Sequence, residues 1–289
     1  MWVFINDQFI PQEQALISVF DHGFLYGDGA YETLRVYDDS PFLLDRHLKR
    51  LQQSCTLIRL SFPTPSMGWA GTIKKLLKRN SLTNAMIRVT VSRGPGKIGL
   101  DPALCRHPTT VIMANPLSPL PKNLRDQGVR IGIVPIRRNA ASAIPPKIKS
   151  LSFLNNILAK HAAIQEDLFE GVMLNQDGHL TECTTSNFFF VRSNTLCTPS
   201  KQSGILEGIT RETIIELAKT LGMEIHETLF VPKDLFDAEE CFLTNSGFEI
   251  LPVCEIRDYF TSTHCPGHWT QKLQAAFRNL VQTQEKKMG

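Results

Sequence analysis

Ile148-Lys149-Ser150-Leu151-Ser152-Phe153-Leu154-Asn155-Asn156 is the stretch on which the reading of this chain turns. Upstream, residues 128–137 alternate as a strand does. Downstream, residues 152–166 repeat at helical spacing, with Leu154, Ile157, Leu158 and His161 on one face. Lys149 therefore falls between a strand and an apolar helix. Lysines are ordinarily solvated surface charges, and Lys147 is a near competitor. Three further segments follow in order: Leu180-Thr181-Glu182-Cys183-Thr184-Thr185-Ser186-Asn187, Gly204-Ile205-Leu206-Glu207-Gly208-Ile209-Thr210-Arg211 and Leu243-Thr244-Asn245-Ser246. Taken singly, Glu182 reads as a strand-end carboxylate. Gly208-Ile209-Thr210 reads as a helix start, whose free amides and positive dipole end suit an anion.

The bulk properties limit the alternatives. The 289 residues suffice for a large core, with 42% hydrophobic and 20% charged residues, as in ordinary globular proteins. A net charge of +3 is too weak to argue for nucleic acid or a membrane as partner. No apolar run approaches the roughly 18–20 residues that span a bilayer. Met1-Trp2-Val3-Phe4-Ile5-Asn6-Asp7 reads as a strand entering a turn, so a cytoplasmic protein is expected. The seven cysteines are odd in number and lack any Cys-x-x-Cys pair, which predicts buried free thiols and no metal site. His264, Cys265 and His268 read as a turn before the last helix.

Residues 3–6 and 8–11 predict a hairpin about Asn6-Asp7, and residues 30–37 a strand that returns over 41–44. Helices are predicted over 45–60 and 67–80, and strands over 85–92 and 109–114. The proline-rich run at 116–122 reads as a linker between a domain at 1–115 and one at 123–289. In the second domain, strands at 171–175 and 187–192 flank the Gln176-Asp177-Gly178 turn. A helix over 210–221 ends at Gly222, a strand covers 239–244, and a helix closes the chain over 270–283. Arg93-Gly94-Pro95-Gly96-Lys97 lacks the spacing of a nucleotide-phosphate loop and reads as a flexible loop.

Together the four segments resemble the class IV (fold type IV) pyridoxal-phosphate enzymes, which include branched-chain and D-amino-acid aminotransferases and aminodeoxychorismate lyase. The resemblance runs from Asp21-His22-Gly23-Phe24-Leu25-Tyr26-Gly27-Asp28-Gly29 to Pro252-Val253. It implies an α/β (α+β) protein of two domains, a small N-terminal one and a larger, barrel-like C-terminal one, with pyridoxal 5'-phosphate in the cleft. It also implies a homodimer. Such chemistry needs an amine, an acid at the pyridine nitrogen, a phosphate cradle and a substrate anchor. The match to Lys-Ser-Leu-x-x-Leu-x-Asn selects Lys149 as the amine. The Glu-x-x-x-Ser-Asn segment selects Glu182 as the acid. Ile209 and Thr210 at the helix start, Ser246 and Arg50 match the phosphate ligands, with Arg50 able to make two parallel bonds to phosphate. Leu206 would lie against the ring.

The substrate is less defined. Lys97-Ile98-Gly99-Leu100-Asp101-Pro102 resembles the interdomain loop of branched-chain aminotransferases, and Arg88 matches an arginine of their substrate pocket. Tyr31 would line that pocket with Arg88, and Tyr26 is a further candidate. Met86 stands where some branched-chain aminotransferases carry a tyrosine, and Phe153 where many do. The Arg-x-His pair of well-known D-amino-acid aminotransferases is absent, with Lys97 and Gly99 in that region. Tyr31-Glu32-Thr33-Leu34-Arg35-Val36 and Thr244-Asn245-Ser246 look like some aminodeoxychorismate lyases. The expectation is an aminotransferase that passes an amino group from an amino acid, of branched-chain type, to a 2-oxo acid in ping-pong order. The alternatives are the lyase, the D-amino-acid enzyme and an inert pyridoxal-phosphate-binding relative.

Overall fold

Alternation along three long strands builds the first of two sheets. The computed structural model describes residues 1–118, 120–262 and 264–288, and side chains through residue 284. It divides into two compact units, Met1–Ser118 with Ile148–Phe153 and Thr283–Gly289, and Pro119–Lys147 with Leu154–Gln282.

The first unit contains β1 (Trp2–Ile5), β2 (Gln8–Pro11), α1 (His22–Tyr26), β3 (Gly29–Tyr37), β4 (Ser40–Pro41), α2 (Leu44–Leu57), α3 (Gly68–Asn80), β5 (Ala85–Ser92) and β6 (Thr109–Pro116). Its six-stranded sheet runs β2-β1-β6-β5-β3-β4. Ala30, Leu34 and Val36 of β3, Ile87, Val89 and Val91 of β5, and Ile112 and Ala114 of β6 point to one face. There they pack with Leu51 and Cys55 of α2 and Trp69, Ile73, Leu76 and Leu77 of α3. The period of two leaves Tyr31, Thr33, Met86, Arg88 and Thr90 for the other face, with Thr33 opposite Arg88 and Tyr31 opposite Thr90. Strand β6 continues through Asn115 and Pro116, which pairs with Ala85, so the stiff segment predicted from residue 116 starts inside the ladder. Pro119 of that segment lies outside the described residues.

The second unit contains α4 (Lys122–Gln127), β7 (Val129–Ile133), α5 (Leu154–Gln165), β8 (Glu170–Leu174), β9 (Leu180–Cys183), β10 (Asn187–Arg192), β11 (Thr195–Pro199), α6 (Ile209–Thr220), β12 (Glu224–Thr228), β13 (Glu240–Asn245), β14 (Glu249–Ile256), β15 (Phe260–Thr261) and α7 (His268–Met288). The sheet order is β12-β11-β10-β13-β14-β7-β8-β9, with β15 on β14. Strand β9 at one edge comes back against β10 and β11, which curls the sheet toward a barrel. Phe188 and Phe190 point into the core formed by the curl. Phe189 points to the other face and stacks on Phe242 with ring centroids 5.0 Å apart. Helix α6 covers that face along β12 and β13, burying Ile214, Ile215 and Ala218.

Three expectations fail here for physical reasons. The strand across the Gln176-Asp177-Gly178 turn is β9, not β10, because the turn closes a hairpin through Leu174 and Leu180. The strand predicted over 128–137 stops at Ile133. Helix α5 inverts its predicted face: Ala159 and Ala163 are buried against Val134, Leu168 and Met173, while Leu154, Ile157 and Leu158 are 68%, 59% and 49% exposed. Two alanines let the helix approach β8 closely, which leaves the bulkier side chains outside.

Candidate active site

In the first unit the residues around Lys149 add to the edge of β3. Tyr31 N donates to Lys149 O (3.0 Å), Leu151 N donates to Gly29 O (3.0 Å), and Lys149 N donates to Ser54 Oγ (3.1 Å). These bonds fix the backbone on both sides of the lysine. Its Nζ lies 4.6 Å from the centroid of the Tyr31 ring. The Arg88 guanidinium lies 3.9 Å from the same centroid, and Phe153 meets that ring edge-on at 5.5 Å. A cation over a tyrosine face gains about 0.5–2 kcal/mol, more as water is excluded, so the ring orients both charged groups. Burial drives the Tyr31 phenol up to about 12, although the charge of Arg88 opposes the rise.

Beneath this face, Glu32 occupies a core-side position of β3 and is fully buried. Arg50 grips it with Nε to Oε1 (2.7 Å) and Nη2 to Oε2 (2.9 Å), and His47 Nδ1 lies 2.7 Å from Oε2. Burial alone would raise the Glu32 carboxyl. The charge of Arg50 and the bonds from both partners overcome it and hold the group at about 2. His47 is pushed down by burial despite Glu32. The parallel pair of bonds expected from Arg50 to a phosphate is made here to Glu32.

In the second unit Glu182 stands near the end of β9, buried. Its Oε1 lies 2.8 Å from Arg138 Nη2, and its Oε2 accepts from Asn187 Nδ2 at 3.0 Å. Asn187 Nδ2 also donates to Leu206 O at 2.9 Å. Two residues on, Gly208 caps α6 with no side-chain hydrogen bond. Ile209 and Thr210, both buried, form its first turn. Thr244 pairs directly with Asn187 across β13 and β10, and its hydroxyl is buried with no partner among the described residues. Ser246 follows in the turn that Asn245 Oδ1 closes on Gly247 N (2.8 Å) and Phe248 N (2.9 Å).

The loop between Glu182 and Asn187 is braced from below. The buried carboxylate of Glu170 accepts from Thr184 N (2.7 Å), Thr184 Oγ1 (2.7 Å) and Thr185 Oγ1 (3.0 Å), with Lys160 Nζ at 3.9 Å. Asn156 Nδ2 donates to Thr184 O (2.7 Å), and its Oδ1 accepts from Arg138 Nη1 (3.3 Å). One network thus ties α5, β8 and the Glu182 carboxylate together.

The predicted residues fall into two groups: Tyr31, Arg50, Arg88 and Lys149 in the first unit, and Glu182, Leu206, Ile209, Thr210 and Ser246 in the second. Sequence reasoning missed Glu32, His47, Arg138, Asn156 and Glu170, and gave Asn187 no role. Glu32 had a signal, being a charge at a core-side position of an alternating strand. Arg138 had none, since it lies 44 positions from Glu182 in an irregular segment. Tyr26 serves the loop that follows β5: its hydroxyl accepts from Gly99 N at 3.2 Å. That loop is pinned where flexibility was expected. Arg93 binds Asp28 and donates to Ile58 O (2.7 Å) and Arg59 O (3.0 Å). A Cβ on Gly94 would fall 1.9 Å from His107 O.

The pattern that defines the family Amino-transferase class IV matches residues 29–256. The chain belongs to that family. It is 37% identical over 280 residues to a putative branched-chain-amino-acid aminotransferase of Methanocaldococcus jannaschii, covering 97% of this chain and 96% of the relative. It is 33% identical over 281 residues to the aminodeoxychorismate lyase of Bacillus subtilis, covering 96% and 94%. Its fold superposes on the branched-chain aminotransferase of the archaeon Thermoproteus uzoniensis solved with norvaline, with a TM-score of 0.90, 30% identity, and coverage of 99% and 96%. As a class IV aminotransferase the chain is an enzyme of pyridoxal-phosphate chemistry with the two-domain fold of that class.

Proposed function

We propose that this class IV aminotransferase uses pyridoxal 5'-phosphate to pass amino groups between branched-chain amino acids and 2-oxo acids. One observation carries the reading: a single side chain, Asn187, joins a buried carboxylate to the backbone at Leu206, two residues before the glycine N-cap of a helix. A ligand with a basic ring nitrogen at one end and a phosphate dianion at the other meets its two needs there. The cofactor fits the residues present, because Gly208 offers the start of α6 no side-chain cap and the buried Thr244 hydroxyl lacks a partner among the described residues. Thr210 and Ser246 would complete the phosphate ligands, and Leu206 would lie against the ring.

When bound, pyridoxal phosphate supplies an aldehyde that takes up the amino group and a ring that accepts the electron pair released with the α proton. Lys149 is the amine that would hold the aldehyde end of the cofactor, and when free its Nζ, placed beside the Tyr31 ring, would take and return the substrate's α proton. Glu182, held by Arg138 and Asn187, keeps a proton on the ring nitrogen. Arg88 anchors a substrate carboxylate, and Met86, Tyr31 and Phe153 offer apolar surface to a branched side chain. The M. jannaschii relative supports this substrate class.

Exposed Phe24, Leu16, Ile98 and Leu100, and the outer stripe of α5, favour a homodimer. The seven cysteines are all free, which fits a reducing cytoplasm. No helix among the described residues is long and apolar enough to cross a membrane.

The test is an absorbance scan of the purified protein with cofactor, followed by L-leucine, L-glutamate, D-alanine and aminodeoxychorismate in separate cuvettes. A near-visible band that shifts with L-leucine and recovers with 2-oxoglutarate supports the reading. A response to aminodeoxychorismate alone makes the protein a lyase, and no band rejects the cofactor assignment.

A further inference from the structure

Gly208 has φ −69° and ψ 133°, an extended conformation that alanine adopts without strain. Backbone freedom therefore does not explain a glycine at this position. Space does: a Cβ on Gly208 would sit 2.0 Å from Asn187 Oδ1 and 3.2 Å from its Cγ. The side chain that fills this volume has both of its amide protons committed, one to Glu182 Oε2 and one to Leu206 O. Its backbone is fixed by pairing with Thr244 in the β10–β13 ladder. Neither aspartate nor leucine, close in size, could give both bonds.

We propose that Asn187, seated on the bare backbone of Gly208, is the positioning residue that fixes the distance between the Glu182 carboxylate and the start of α6. It matches the site to a rigid ligand that must reach an acid and a phosphate cradle together. The inference rests on the cofactor reading above and adds to it a pair of residues whose effects on binding are coupled.

The experiment is a double-mutant cycle on the full-length protein reconstituted with pyridoxal phosphate, using N187A, G208A, N187A/G208A and N187D. It reads the cofactor's dissociation constant, the pH titration of its near-visible band, and the melting temperature of the cofactor-free protein. N187A and G208A should each weaken cofactor binding roughly tenfold, the size of one hydrogen bond to a charged group. The double variant should bind within about twofold of N187A, because the new methyl enters space that Asn187 has left. N187D places a second carboxylate beside Glu182, so one of the two holds a proton and the band's titration should move by about one pH unit or more. N187S, small and polar, takes the place of N187A in the cycle should the alanine variant fail to fold.

Losses that multiply in the double variant would overturn the coupling. So would an N187D titration that matches the unmodified protein, or variants that lower only the melting temperature. A wild-type protein that binds no pyridoxal phosphate rejects the functional reading and takes this inference with it. Wild-type binding with multiplied losses rejects the inference alone.

Discussion

Arg138 Nη2 lies 2.8 Å from Glu182 Oε1, with side-chain exposures of 14% and 8%. A carboxylate this enclosed depends on its cation, because water cannot replace a lost partner. R138A should therefore cut kcat or cofactor affinity by about 10- to 100-fold, the cost of leaving a buried charge one bond short. R138K should recover part of the loss. Steady-state kinetics and cofactor titration of both variants check this, and an R138A protein within about twofold of wild type would count against the pair.

Acid should act through Glu32 and His47. Glu32 is held at about 2, below its ordinary value, and His47 is pushed down as well. In both cases the unfolded chain binds protons more readily than the folded one, so stability rises with pH. The His47 contribution is lost as pH falls below about 6.5, and that of Glu32 as pH falls from about 4.5 toward 2. Glu32 should supply about 3 kcal/mol at neutral pH. Urea unfolding of the cofactor-free protein at a series of pH values measures the slope, and E32Q should flatten its acid end.

Tyr31 gives a spectroscopic counterpart. With its phenol raised to about 12, Tyr31 should ionise only in strong alkali. Ultraviolet difference titration should show this as a late phase, and Y31F should remove it. A single phase near the ordinary value would argue against the burial described.

Glu170 bonds three donors of the Thr184–Thr185 backbone and hydroxyls. E170A should destabilise the protein by about 2–4 kcal/mol, since it orphans buried donors, and E170Q by less. Denaturation midpoints measure the difference. Equal losses for the two variants would assign the effect to packing instead of the bonds.

Ile157 and Leu158 lie on the outer face of α5. On the proposed homodimer, replacing both with glutamate should leave the melting temperature within a few degrees and convert the dimer to a monomer, read by light scattering after gel filtration. An unchanged mass would remove α5 from the contact.

Local chemistry made much of this protein legible from its residues. The alternation of β3, β5 and β6, the hairpin at Asn6-Asp7 and the helix stop at Gly222 follow from side-chain periodicity and turn preference, which act over a few residues. The helix start at Gly208-Ile209-Thr210 is local in the same sense. Lys149, Glu182 and Arg50 stood out as candidates because their neighbours match a family pattern. Tertiary structure decided the rest. Arg138 reaches Glu182 across 44 positions, Glu32 finds Arg50 and His47 on a helix that crosses its strand, and α5 buries alanines where larger residues promised a core. A charge or a bulky apolar group has no fixed fate in a sequence. Whether it is neutralised, enclosed or left outside depends on which distant partner the folded chain brings within a few ångströms.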